Sequence, residues 1–249
     1  MKTYSITDTG ALREMNQDYF FASDDPVGNL PNLYIVADGM GGLSDGDKVS
    51  QLLVYTILSQ SKNVLKEGVI APLYQLVGIA NDAANADGTI VQNSGSTLLA
   101  VWQNRNHFQW IAVGDSRIYL YRAGSLVQMN SEHTYKRELL LSAVNGDISY
   151  ERAYTDEQSE CLTSYMGMGR LRHIEGSIRD VELEPGDRIL LMSDGVFNTI
   201  SEREIAQSII RGGDVEKAAE IMQEEILKKN YSAQDNFTAV ILGWDYEGM

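Results

Sequence analysis

The chain has 249 residues, 43% hydrophobic and 22% charged, a globular rather than disordered composition. Its 35 Asp and Glu against 20 Lys and Arg give a net charge of −15, which argues against nucleic-acid and anionic-membrane partners, since both need excess Lys and Arg. The single cysteine, Cys161, excludes an intrachain disulfide and a thiolate metal site, no run of about 18 apolar residues is present to span a bilayer, and MKTYSITDTG lacks an apolar signal core, so a cytoplasmic location is expected.

In chain order, Tyr4 to Thr7, Tyr19 to Ala22 and Leu33 to Ala37 read as strands, the last a continuous apolar LYIVA suited to burial. Val49, Leu52, Leu53, Ile57 and Leu58 share one helical face, and Leu73, Leu76, Val77, Ala80 and Ala84 another, predicting two sheet-covering helices. Gly95 to Met129 predicts a β-meander with turns at Asn104-Arg105-Asn106 and Ala123-Gly124-Ser125. Residues 131–176 carry no clean period and read as an irregular, flap-like excursion beside a site. SIRDVEL, a Pro185-Gly186-Asp187 turn and the apolar strand RILLMSD follow. Ser201 and Glu204 have capping-box spacing, Ala218, Ile221, Met222 and Ile226 form the stripe of a second helix, and FTAVILG closes the chain as a strand. Without βαβ alternation, internal repeat or linker, this order predicts a single α+β domain over residues 1–249: two packed antiparallel sheets with helices outside.

Four aspartates fall at predicted strand ends: Asp38 after LYIVA, Asp115 after WIAVG, Asp194 after ILLMS and Asp235 before NFTAVIL. Each alone reads as turn punctuation. Together, on apolar strands, they are expected to converge on one cleft. Two carboxylates about 5 Å apart at an effective dielectric of about 20 repel by roughly 3 kcal/mol, so such a cluster needs protons or cations. With one cysteine and three scattered histidines the available ligands are hard oxygens, which select Mg²⁺ or Mn²⁺. That combination fits a two-metal site hydrolysing a phosphate ester. The phosphate-loop, nucleophile-elbow and HExxH patterns are all missing from the sequence.

Seven segments in order, Arg13-Glu14-Met15-Asn16-Gln17-Asp18, Val36-Ala37-Asp38-Gly39-Met40-Gly41-Gly42, Gly95-Ser96-Thr97-Leu98, Gly114-Asp115-Ser116-Arg117, Pro185-Gly186-Asp187, Ser193-Asp194-Gly195 and Asp235-Asn236, resemble signatures of the metal-dependent Ser/Thr protein phosphatases (PPM, or type-2C, family) in its compact bacterial form. The resemblance implies a four-layer α-β-β-α sandwich and dephosphorylation of phosphoserine and phosphothreonine by a metal-bridging water or hydroxide. It implies that Asp38 bridges two Mn²⁺ or Mg²⁺ ions, that the Gly39 carbonyl binds the second, that Asp194 and Asp235 ligate the first, and that Arg13 holds the phosphate. Asp18 supports the site from its rim. Asp115 matches a third-metal aspartate and equally suits a cap on the turn before Ser116.

The chain departs from the family pattern in four places. Gln17 stands where the family usually has Glu, Asn198 where it commonly has the Asp completing a third site, and Leu43 and Met40 where relatives place histidine. His133 resembles a family position, but a lone histidine is more often a structural hydrogen-bonder. The implied partners are phosphoproteins made by a Ser/Thr kinase, met by a monomer. The alternatives are a pseudophosphatase-type phosphoprotein-binding module and a small phosphate-ester hydrolase.

Overall fold

The computed structural model describes residues 1–23, 32–40, 45–66, 69–91 and 93–245. One sheet runs, in spatial order, β1 (Lys2–Asp8), β12 (Phe237–Trp244), β11 (Asp187–Met192), β7 (Arg117–Arg122) and β8 (Ser125–Gln128). The other runs β10 (Val181–Glu182), β6 (His107–Val113), β5 (Leu98–Asn104), β3 (Leu33–Met40) and β2 (Asp18–Ala22), with β4 (Gly95–Ser96) beside β3 and β9 (Glu175–Gly176) beside β6. All these pairings are antiparallel.

Three apolar layers hold four layers of structure together. Successive strand side chains point to opposite faces, so a strand covered on both sides must be apolar at every position. On β3, Leu33, Ile35 and Ala37 pack with Val49, Leu53 and Ile57 of α1 (Gly46–Val64) and Leu73, Leu76 and Val77 of α2 (Pro72–Ala86). Its alternate residues Tyr34 and Val36 meet Ile189 and Leu191 of β11 and Val240 and Leu242 of β12 between the sheets. Beyond the second sheet, Leu190, Met192 and Ile241 pack with Ile205 and Ile209 of α6 (Glu202–Gly212) and Ala219, Met222 and Ile226 of α7 (Val215–Lys228). This is the α-β-β-α sandwich. Ser201 and Glu204 form the expected capping box at α6.

Three local readings change. In α1, Val54 is buried, whereas Leu52 and Leu58 are half-buried. Within SIRDVEL only Val181 and Glu182 form a strand, paired with β6, while Ser177 bonds Trp110 of β6 separately and Ile178 is 70% exposed. Residues 131–176 contain two helices, α3 (Tyr135–Val144) and α4 (Tyr150–Thr155), around Leu139, Ala143 and Ala153. Because α3 buries only Leu139 and Ala143 and leaves Leu141 and Val144 exposed, it has no apolar stripe for a periodicity to reveal.

Candidate active site

Both sheets deliver acidic residues to one edge of the sandwich. Asp38 lies on β3, which continues two residues past it, and pairs in register with Asp18 of β2. Asp115 sits in the turn joining β6 to β7, and so connects the two sheets. Asp194 opens the short helix α5 (Asp194–Phe197) immediately after β11, and Asp235 lies just before β12. These four line one open cleft of about 380 Å³, together with Arg13, Gln17, Gly39, Met40, Thr97 and Asn236. Its opposite wall is Glu160, Cys161, Leu162 and Tyr165. Two expected residues stand behind the cleft rather than in it. Asp18 is buried, its Oδ2 accepting from the Ser193 hydroxyl at 2.7 Å, and exposed Asn198 donates through Nδ2 to Asp194 Oδ2 at 3.2 Å.

Backbone contacts set these positions. The Asp38 carbonyl accepts from the Thr97 N–H (2.8 Å) and the Ser96 hydroxyl (2.9 Å), and the Asp38 N–H donates to Thr97 Oγ1 (3.1 Å). Thr97 Oγ1 also bonds Ser116 Oγ at 2.8 Å, tying the Asp38 strand to the Asp115 turn. Gly39 donates its N–H to the Gln17 carbonyl at 3.1 Å, so close that a β-carbon there would stand 2.5 Å from that oxygen and 2.2 Å from the Gly46 carbonyl; only glycine fits. The loop bearing Arg13 is stapled to the start of β12. Ala11 and Leu12 donate N–H bonds to the Gln234 carbonyl, Asn236 Oδ1 accepts from the Gln17 N–H at 2.8 Å, and Asn236 Nδ2 donates to the Thr9 (2.7 Å) and Met15 (3.1 Å) carbonyls. The Ser193, Ser96 and Ser116 hydroxyls have no role assigned from the sequence, whereas the cleft wall falls within residues 131–176, the segment expected to flank a site. Those serines lie inside the family-like segments, which is the signal that points to them; no individual wall residue carries one.

Crowding and burial drive the carboxyl groups toward protonation. Burial first, then the charges of Asp18, Asp194, Asp115 and Asp235, raise Asp38 well above the ordinary carboxylate range. Burial and Asp194 push Asp115 to about 7. Burial and Asp235 push Asp194 to about 6, and burial carries Asp18 to about 6 against its hydrogen bonds to Thr238 and Ser193. Asp235 differs: burial pushes it up, but the hydrogen bond from Arg13, that from the Asn236 N–H and the Arg13 charge prevail and hold it below its usual value.

The donor set suits a hard divalent cation. Every acidic or amide group lining the cleft presents oxygen, and behind them Asp18 Oδ1 is buried with no hydrogen-bond partner. Among the described residues, no three Asp, Glu, His or Cys side chains already close around one point, so the carboxylates line the cleft without forming a finished cage. Arg13 occupies Asp235 and Asn198 occupies one oxygen of Asp194. His133 is buried and accepts from the Gly114 N–H through Nδ1 at 3.1 Å, the structural hydrogen bond of the two readings. Met40 lines the cleft, while Gly41, Gly42 and Leu43 lie outside the described residues.

The comparisons bear on this arrangement. A family model described as protein phosphatase 2C matches residues 11–230, from the Arg13 loop to the end of α7. The serine/threonine protein phosphatase PstP of Mycobacterium tuberculosis is 27% identical over 246 residues, covering 96% of this chain and 45% of its own length, so the chain spans about half of that relative. The crystal structure of M. tuberculosis PstP/Ppp superposes with a TM-score of 0.81 at 26% identity, covering 98% of this chain and 99% of the other. The PstP catalytic domain in complex with two manganese ions gives 0.74 at 26% identity, with 96% of each chain covered. Fold, matched span and the ordered motifs agree, and the chain belongs to the protein phosphatase 2C family.

Proposed function

We propose that this chain is a metal-dependent protein serine/threonine phosphatase acting on phosphoproteins. The observation that carries the reading is the delivery of Asp38, Asp115, Asp194 and Asp235, from both sheets, to one cleft that also holds Arg13. Asp38, Asp194, Asp235 and the Gly39 carbonyl would hold two Mn²⁺ or Mg²⁺ ions, with Asp115 beside a third position. When bound, such ions neutralise phosphate charge and lower the pKa of coordinated water. Two manganese ions in the PstP catalytic domain support that number.

The chain's own groups do the rest. Arg13 is the one cation lining the cleft among the described residues, and its guanidinium matches two phosphate oxygens at once. Thr97 Oγ1 is engaged by Ser116 and by the Asp38 N–H, so it is not poised as a nucleophile. In this reading water attacks phosphorus, the bond to the serine or threonine oxygen breaks, and that oxygen takes its proton from water, since no histidine lines the cleft among the described residues. Gln17 contributes its amide to the rim without charge. Substrates in this reading are products of a Ser/Thr kinase, met by a cytoplasmic monomer; the net charge of −15 supports protein over nucleic-acid partners. No helix among the described residues is long and apolar enough to cross a membrane.

Replacing Asp38 by Asn tests the assignment. Manganese-dependent hydrolysis of a phosphoserine peptide should fall at least 10³-fold, on the order of losing a principal electrostatic group, with an unchanged circular dichroism spectrum. Full retained activity would refute the reading.

A further inference from the structure

Helix α2 presents two asparagines one turn apart, and both grip the same turn of the distant cleft wall. Asn81 Nδ2 donates to the Gly169 carbonyl (2.7 Å), while its Oδ1 accepts the Gly167 N–H (3.0 Å). Asn85 Nδ2 donates to the same carbonyl (3.1 Å), and its Oδ1 accepts the Gly169 N–H (2.8 Å). Positions i and i+4 lie on one helix face, and an amide offers a donor and an acceptor side by side. Gly167 and Gly169 take φ of +90° and +85°, so the gripped turn has a backbone that other residues resist.

The residues before this turn reach the site. Met166 is fully buried against the α1–α2 core and exchanges two backbone hydrogen bonds with Ser96, whose hydroxyl donates to the Asp38 carbonyl. Tyr165 lines the cleft, with its ring so near Gly95 that a β-carbon there would lie 2.4 Å from Cδ2. Its neighbours on the wall are hung from the other side: Tyr135 donates its N–H to the Cys161 carbonyl, and Thr163 donates to the His133 carbonyl. The wall is thus suspended between the His133 end and the Asn81–Asn85 grip. Asn85 is exposed, so its bonds to Gly169 do little for the core.

Resting on the phosphatase reading, we propose that Asn81 and Asn85 are positioning residues: an amide clamp that holds Tyr165 and Leu162 where they meet the peptide part of a phosphoprotein. The clamp governs how well a protein substrate is held, and the phosphate chemistry across the cleft is left to Arg13 and the aspartates.

The test compares wild type with Asn85→Ala, Asn81→Ala/Asn85→Ala and Tyr165→Ala, using amide hydrogen exchange of residues 162–170 and Mn²⁺-supported kinetics on a phosphoserine peptide and on para-nitrophenyl phosphate. Exchange at Gly169 should rise at least tenfold in Asn85→Ala. The phosphopeptide KM should rise about five- to tenfold with kcat within twofold, and aryl phosphate kinetics should not move. Tyr165→Ala should raise the phosphopeptide KM likewise. Asn85→Asp, which keeps the acceptor and loses the donor, should fall between. Accelerated exchange with an unchanged phosphopeptide KM overturns the clamp as a positioning device, and an equal loss of kcat on both substrates with a lowered Tm reduces it to fold maintenance. A wild type that binds the phosphopeptide without turnover defeats the phosphatase reading alone; the clamp then stands or falls on whether Asn85→Ala weakens that binding.

Discussion

Arg13 and Asp235, 222 residues apart, close a two-pronged ion pair at the mouth of the cleft, Nε to Oδ1 at 2.7 Å and Nη2 to Oδ2 at 2.9 Å. The hydrogen bonds that Arg13 donates to Asp235 raise the Arg13 pKa above its ordinary value. The two residues proposed to bind phosphate and metal thus hold each other.

Removing the guanidinium should separate these roles. In Arg13→Ala, kcat/KM for a phosphopeptide should fall about 10²- to 10³-fold, the usual loss for one donor to a developing phosphate charge. Mn²⁺ binding measured by calorimetry should hold or tighten, because Asp235 loses its competitor. Arg13→Lys should restore little, lacking the fork. Weakened metal binding in Arg13→Ala would mean that the pair assembles the site rather than competing with it.

The raised carboxyls predict how the metal-free protein responds to pH. A group whose folded pKa lies above its unfolded value stabilises the fold fully below the unfolded pKa, and that contribution is lost as pH rises through the folded value. Asp18 and Asp194 at about 6, Asp115 at about 7 and Asp38 higher still all act this way. His133, lowered to about 4 by burial, then by His173 and Arg137, acts oppositely, losing its contribution as pH falls from about 6.5 toward 4. The unmixed window therefore lies above pH 6.5, where Asp115 and Asp38 still lose their contribution. There the Tm of chelator-treated protein should fall as pH rises, and Mn²⁺ should abolish the slope. A flat metal-free profile would overturn the raised pKa of Asp115 and Asp38.

Asn198 offers a gain-of-charge experiment. Asn198→Asp replaces a hydrogen bond to Asp194 with a second carboxylate. Because the position is exposed, solvent screening limits the metal-free destabilisation to about 1 kcal/mol. Bound Mn²⁺ counted by native mass spectrometry or calorimetry should increase by one. An unchanged count would remove Asp115 from any metal role.

Asn236 carries the Arg13 loop. Its side chain makes three hydrogen bonds to Gln17, Thr9 and Met15, so Asn236→Ala should cost about 2–4 kcal/mol in chemical denaturation. It should also raise the phosphopeptide KM, since Arg13 loses its anchor. Asn236→Asp keeps the acceptor for the Gln17 N–H but neither donor, and should recover part of the stability and little of the affinity. Unaltered kinetics in a destabilised Asn236→Ala would place the anchor of Arg13 in the Gln234 backbone bonds and the Asp235 ion pair.

What the sequence by itself determined follows from short-range physics. Doubly covered strands such as LYIVA must be apolar throughout, amphipathic helices must show their stripe, and a capping box must have its spacing. The four strand-end aspartates were legible for the same reason, since buried strands can shed charge only at their tips. The α3–α4 hairpin escaped because it buries only three residues as its core. Tertiary structure alone decided which tips face one another, that Arg13 lies on Asp235, that Asn236 ties down the Arg13 loop and that Asn81 and Asn85 reach Gly167 and Gly169. These partners stand 84 to more than 200 residues apart, and their meeting depends on how two sheets stack and which edge is left open, a relation that no local period encodes.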